Sequence, residues 1–225
     1  MRVAAVVAVS GIFAAVLVPI AALPQEPAAY TDAKRSIDER VADLLKRMTL
    51  EEKVDQIAGG RSLERGVIDP TGRFTPENFE RAMADMTRPT TRPAPRDWAV
   101  LRNALQRYRL QKTRLGIPTL FFGEALHGYM AHGATSFPQA IALASTWDPE
   151  LVHQVFGAAA DEMASAGANQ AFTPVLDLAR DPRWGRTEET YGEDPYLVSR
   201  LGVAAIQGLQ GPGPGFDRHH VMATM

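Results

Sequence analysis

Cysteine is missing from all 225 residues. That excludes disulfides, a lipidated cysteine anchor and a thiol nucleophile, so an exported protein of this kind must rest on a sizeable core. A surplus of one charge is missing too: 24 Lys and Arg face 26 Asp and Glu, for a formal net charge of −2. Nothing in that balance favours nucleic acid or an acidic polymer as partner. The one basic stretch, Arg88 to Arg114 with Asp97 its only acid, reads as a solvated helix face behind a proline-rich loop. There is no G-x-S-x-G elbow for a nucleophilic serine, no zinc spacing such as HExxH, and no internal repeat.

The N-terminus carries the one long apolar run. Arg2 precedes VAAVVAVSGIFAAVLVPIAA (Val3 to Ala22), and small residues close it at Ala21 and Ala22. This matches a secretory signal peptide over residues 1–22, with an uncleaved membrane anchor as the alternative. At the other end, GPGPGFDRHHVMATM reads as a glycine-proline loop entering an apolar strand, Val221 to Met225, which suggests a truncated sequence.

Between these ends, Ile37, Val41, Leu44 and Leu45 stand at helical spacing from Ser36 to Arg47. Thr49 and Glu52 form a capping box for a second helix, Leu50 to Ala58. Gly59 to Arg96 reads as a long surface connection with one short helix around Phe79. Trp98, Leu101, Leu105 and Tyr108 then mark a helix that ends near Leu115 and Gly116. After Gly116 the pattern becomes strand (Ile117 to Phe122), loop, helix (Pro149 to Ala166, burying Leu151, Val152, Val155, Phe156, Ala159 and Met163). It continues with strand (Ala171 to Leu176), loop, helix from Asp194-Pro195 (with Leu197, Leu201 and Ala205 inward) and strand (Val221 to Thr224). Short apolar strands alternating with amphipathic helices predict a parallel α/β sheet with right-handed crossovers. In α/β barrels the chemistry sits in the loops at the C-terminal ends of strands. Two loops fall there: Gly123 to Gly133 and Asp177 to Asp194.

The first loop holds Glu124 and His127 in GEALHG. One E-x-x-H is half of a di-iron carboxylate site, but no second copy exists, so no metal is expected. A polar turn, with Glu124 capping and His127 donating to a carbonyl, remains open. The second loop holds Asp181-Pro182-Arg183-Trp184-Gly185-Arg186, followed by Glu188, Glu189, Glu193 and Asp194. Arginine offers planar hydrogen-bond donors and indole a flat apolar face, the combination a sugar ring needs. A self-satisfied arginine-carboxylate network is the alternative.

GEALHG, TSFPQAIALASTWD, PVLDLARDPRWGRTEETYGEDPYL and HHVMAT, in this order, resemble the N-terminal catalytic domain of glycoside hydrolase family 3. The similarity runs from about Met48 to the last residue. It implies an α/β fold that is the N-terminal part of a (β/α)8 TIM-like barrel, truncated before barrel closure. In domain terms it implies a signal peptide (1–22), a lead-in with one helix (23–47) and an incomplete barrel domain (48–225). That family contains exported exo-acting β-glucosidases and β-xylosidases that act with retention, which needs two carboxyl groups about 5 Å apart. By the resemblance, the nucleophilic aspartate and the acid/base glutamate both lie beyond Met225, as does a Lys-His pair after VMAT.

Carried over by position, Glu124 accepts hydrogen bonds from hydroxyls of the terminal non-reducing sugar and Arg186 contacts substrate. Arg183 pairs with nearby carboxylates, His127 braces its loop, Trp184 offers its ring, and Glu189 and Asp194 hold the second loop and cap its helix. Glutamate at 124, where many glucosidases of the family carry aspartate, resembles the xylosidase branch. Its extra methylene fills space that a glucose hydroxymethyl would use. The implied partner is an oligosaccharide or an aryl or alkyl glycoside, with no cofactor, no nucleic acid and no stable membrane association after signal cleavage. Two readings compete: a sugar-binding module without hydrolysis, and an inactive fragment.

Overall fold

The computed structural model describes residues 28–57, 67–68, 74–75, 94–213 and 217–225. The signal peptide expected over 1–22, the helix expected around Phe79 and most of the Gly59 to Arg96 connection lie outside them. Chain contacts define two units, one ending at Gln56 and the other running from Ile57 to Met225.

In the first unit a 3-10 turn (Ala29–Thr31) precedes α1 (Ile37–Arg47) and α2 (Leu50–Ile57). Ser36 starts α1 as a capping box with Glu39, as local sequence chemistry requires. Thr49 and Glu52 do the same for α2, at 3.2 Å for Glu52 N–H to Thr49 Oγ1 and 2.9 Å for Thr49 N–H to Glu52 Oε2.

The second unit opens with a short antiparallel pair, β1 (Val67–Ile68) and β2 (Phe74–Thr75), which the sequence pattern does not signal. Then come α3 (Pro95–Lys112), β3 (Phe122–Gly123), α4 (Ala140–Ala144), α5 (Pro149–Ser165), β4 (Gln170–Ala171), α6 (Pro195–Gln210) and β5 (Met222–Ala223). Strands β3, β4 and β5 are parallel neighbours in chain order, with Phe122 beside Gln170 beside Met222. This is the expected alternating α/β sheet, three strands wide and open. The core lies between the sheet and helices α5 and α6, where Val152, Phe156, Met163, Leu201, Leu209, Ala171 and Val221 are buried.

Helix starts follow local chemistry. Asp148 accepts from the N–H groups of Glu150 and Leu151 ahead of Pro149, and Asp194 accepts from Leu197 N–H at 2.7 Å ahead of Pro195. Helix α3 begins three residues before the expected Trp98, with Pro95 in its first turn and the Asp97 side chain accepting from Ala94 N–H at 3.0 Å.

The strands are shorter than expected. Thr119 gives both backbone groups to the Gln106 side chain of α3, at 2.7 and 2.9 Å, and the ladder begins only at the Phe121 carbonyl, which accepts from Gln170 N–H at 3.1 Å. The expected Ala171–Leu176 strand shrinks to Gln170–Ala171 because Pro174 has no N–H to continue it. Leu151, expected inside, is 38% exposed: it sits in the first turn of α5, ahead of the buried stripe that begins at Val152. Among the described residues no helix is long and apolar enough to cross a membrane.

Candidate functional site

The loop after β3 folds back on itself at once. Met130 N–H donates to Glu124 O at 2.9 Å, and Phe137 N–H to His127 O at 2.8 Å. Gly128 makes this possible with φ +101°. A side chain there would put its Cβ 2.2 Å from the Thr135 carbonyl oxygen, so no larger residue fits. His127 Nδ1 lies 3.3 Å from Ser136 Oγ, and Glu162 of α5 accepts from both Thr135 N–H and Thr135 Oγ1–H. His127 lines a groove of about 280 Å³ with Tyr129, His132 and Thr135, apart from the groove that Arg186 lines. Glu124 is exposed just past the end of β3, and none of the described residues hydrogen-bonds its carboxylate.

The loop after β4 contains two 3-10 turns, Pro182–Trp184 and Thr187–Glu189. Asp181 caps the first and also grips Arg183, with Nε–H to Oδ1 at 2.9 Å and Nη2–H to Oδ2 at 2.5 Å. The guanidinium beside it holds the Asp181 carboxyl below the usual aspartate range. Gly185, at φ +88°, reverses the chain between the turns. Arg186 then donates through Nε to both oxygens of Glu189, at 2.9 and 3.0 Å, and through Nη2 to Oε2. Those hydrogen bonds hold the Glu189 carboxyl below its usual range and the Arg186 guanidinium above its own. The Arg186 guanidinium carbon also lies 5.9 Å from the Trp184 ring centroid. Behind it, Thr190 and Tyr191 are buried, and Ala179 N–H donates to Gly192 O at 3.0 Å, closing the loop at its base.

Arg186 lines a second groove of about 280 Å³ with Phe172, Leu176, Asp177, Thr224 and Met225. These residues follow β4 and β5, so the groove lies at the C-terminal ends of the parallel strands, where α/β folds carry ligands. After Glu189, the charges of Asp177 and then Glu124 add to the field that keeps Arg186 protonated. The structure therefore brings Glu124, Arg186, Trp184 and Glu189 together electrostatically or by contact. Arg183 points its pairing to Asp181 with 89% of its side chain exposed, and His127 belongs to the other groove. Asp177 is the residue that sequence reasoning missed. As one carboxylate among many it has no local signal; only the closeness of successive strand ends reveals it. Among the described residues, no group of three or more His, Cys, Asp or Glu side chains is placed to hold a metal ion.

The fold is of the α/β barrel type, with a groove at its strand ends that holds Arg186 and Asp177. Residues 80–225 match the glycosyl hydrolase family 3 N-terminal domain, and the chain belongs to that family. It is 52% identical over 118 residues to a β-xylosidase of Formosa agariphila, covering 49% of this chain and 16% of that protein. It is 35% identical over 202 residues to β-glucosidase C of Emericella nidulans, covering 82% of this chain and 31% of that protein. Among solved structures, a β-glucosidase of Erythrobacter marinus superposes with a TM-score of 0.66 at 34% identity, over 89% of this chain and 27% of that one. The chain thus spans less than a third of the length of each of these relatives.

Proposed function

We propose that the chain supplies part of the sugar-binding subsite of a retaining β-glycosidase that removes terminal non-reducing β-D-xylosyl or β-D-glucosyl residues. One observation carries this reading: Arg186 stands at the strand ends, held on one edge by Glu189, in a groove shared with Asp177, and no described residue hydrogen-bonds the carboxylate of Asp177 or of nearby Glu124. A fixed planar donor beside open acceptors suits a polyol. Glu124 and Arg186 bind sugar hydroxyls, while His127, Arg183, Trp184 and Glu189 support the two loops. In this reading the nucleophilic aspartate comes from a later strand of the barrel domain that begins near residue 48, and the acid/base glutamate from a second domain. Export rests on Arg2 and the Val3 to Ala22 run.

The test is hydrolysis of 4-nitrophenyl β-xyloside and β-glucoside by the full-length protein, with the anomer of the first-released sugar read by NMR. Turnover with retention is expected. Saturable binding of xylose without turnover overturns the enzyme reading in favour of a binding module, and release of the inverted anomer overturns the mechanism. Replacing Glu124 with Asp is expected to shift the xyloside-to-glucoside ratio of kcat/KM toward glucoside by about ten- to two-hundredfold, the range a methylene-sized change in a pocket gives. An unchanged ratio refutes the steric role of Glu124.

A further inference from the structure

Asp177 shares the groove with Arg186, and no described residue hydrogen-bonds or ion-pairs with its carboxylate. Its charge nonetheless acts on Arg186, and more strongly than that of Glu124. An exposed aspartate near an arginine ordinarily closes into a contact pair. Here it does not: Glu189 occupies Nε and Nη2 of the guanidinium, and Nη1 has no hydrogen bond among the described residues. A carboxylate that only accepts and a guanidinium that only donates therefore stand apart across one groove. A hydroxyl is the group that satisfies both, since it donates and accepts at once. Phe172, Leu176 and Met225 complete the wall with apolar surface, which suits the C–H side of a sugar ring.

We propose that Asp177 is a second hydroxyl-binding carboxylate of this groove, accepting from a sugar hydroxyl whose oxygen accepts in turn from Arg186. The proposal rests on the glycosidase reading and adds a specificity residue to it. Glu124 reaches the site from the end of β3 and Asp177 from the segment after β4, so the two carboxylates address different hydroxyls.

The test compares the full-length wild type with Asp177→Ala and the isosteric Asp177→Asn on 4-nitrophenyl β-xyloside and its 2-, 3- and 4-deoxy analogues. Hydrogen bonds to charged groups correspond to rate or affinity changes of about ten- to a hundredfold. Asp177→Ala is therefore expected to lower kcat/KM on the parent by that factor, chiefly through KM, with Asp177→Asn showing a smaller loss at unchanged Tm. On one deoxy analogue the wild-type advantage is expected to vanish, which identifies the hydroxyl. An active wild type whose variants suffer the same loss on every analogue, or none, overturns the role of Asp177 alone. A wild type that turns over no glycoside overturns the glycosidase reading beneath it.

Discussion

Helices α5 and α6 meet at two glycines that make opposite predictions. A Cβ built on Gly208 lies 2.4 Å from His153 O, 3.0 Å from Gly157 N and 3.1 Å from Phe156 Cβ. A carbon–oxygen contact needs about 3.3 Å, so Gly208→Ala must push α6 off α5 by nearly an ångström. Backbone atoms receive the collision, and no flexible side chain can give way. Around that contact Val152, Phe156, Leu201 and Leu209 are buried at 0–1% exposure, so separation also loosens the core. Overpacking of this kind costs about 1–3 kcal/mol or more, against a helix-propensity gain of at most about 1 kcal/mol from replacing glycine. With the clash at the upper figure, since backbone receives it, the net loss of about 2 kcal/mol lowers Tm by about 4–8 °C for a domain of this size. At Gly157 the built Cβ finds only Gly208 O, at 3.8 Å. There the propensity gain stands alone, and Gly157→Ala should raise Tm by about 1–4 °C. Scanning calorimetry of wild type and both variants decides the matter. A Gly208→Ala protein as stable as wild type, or a Gly157→Ala protein equally destabilised, refutes the close backbone approach.

Glu189→Gln should raise KM for aryl glycosides with little change in kcat, because it frees Arg186 to leave its position. Arg186 depresses the Glu189 carboxyl, so the clamp is complete above the ordinary glutamate range and is lost only as pH falls through the depressed value. The wild-type KM should thus rise on strong acidification along a limb that Glu189→Gln lacks; identical pH profiles would count against the clamp. Tyr191 is buried, its hydroxyl has no hydrogen-bond partner among the described residues, and burial pushes its ionisation up. Tyr191→Phe should leave stability unchanged or raise it by up to about 1–3 kcal/mol, the desolvation penalty of an unpaired buried hydroxyl. A fall in Tm would mean that the hydroxyl is engaged.

Local chemistry was legible in the sequence at helix starts, where partners lie within a few residues. Thr49 with Glu52, Asp148 before Pro149 and Asp194 before Pro195 each start a helix at the expected place. Arg186 and Glu189, three apart, also pair at short range, but the motif assigns carboxylate pairing to Arg183 and substrate contact to Arg186, so this pair is not legible in it. Strand lengths were not legible, because they depend on distant partners. The apolar run from Ile117 predicts six ladder residues, yet the amide and carbonyl of Thr119 go to Gln106, thirteen positions away. Leu151 fits the helical stripe by spacing but lies exposed in the first turn.

The two kinds of contact divide the work at the site. Arg186 is aimed by neighbours in its own loop: Gly185 turns the chain, Glu189 fixes the guanidinium edge, and buried Thr190 and Tyr191 anchor the segment beneath. The acceptors that face it are set by the sheet. Parallel strands lie about 4.8 Å apart, so residues just past the ends of β3 and β4 become neighbours whatever their separation in sequence. Gly123 pairs with Ala171, and the charges of Glu124 and Asp177, which follow those two strands, both act on Arg186. A donor held by short-range pairing and acceptors held by the strand register can change independently. Under the proposed function, substitution at 124 or 177 should therefore change sugar preference while leaving the Arg186–Glu189 pair in place.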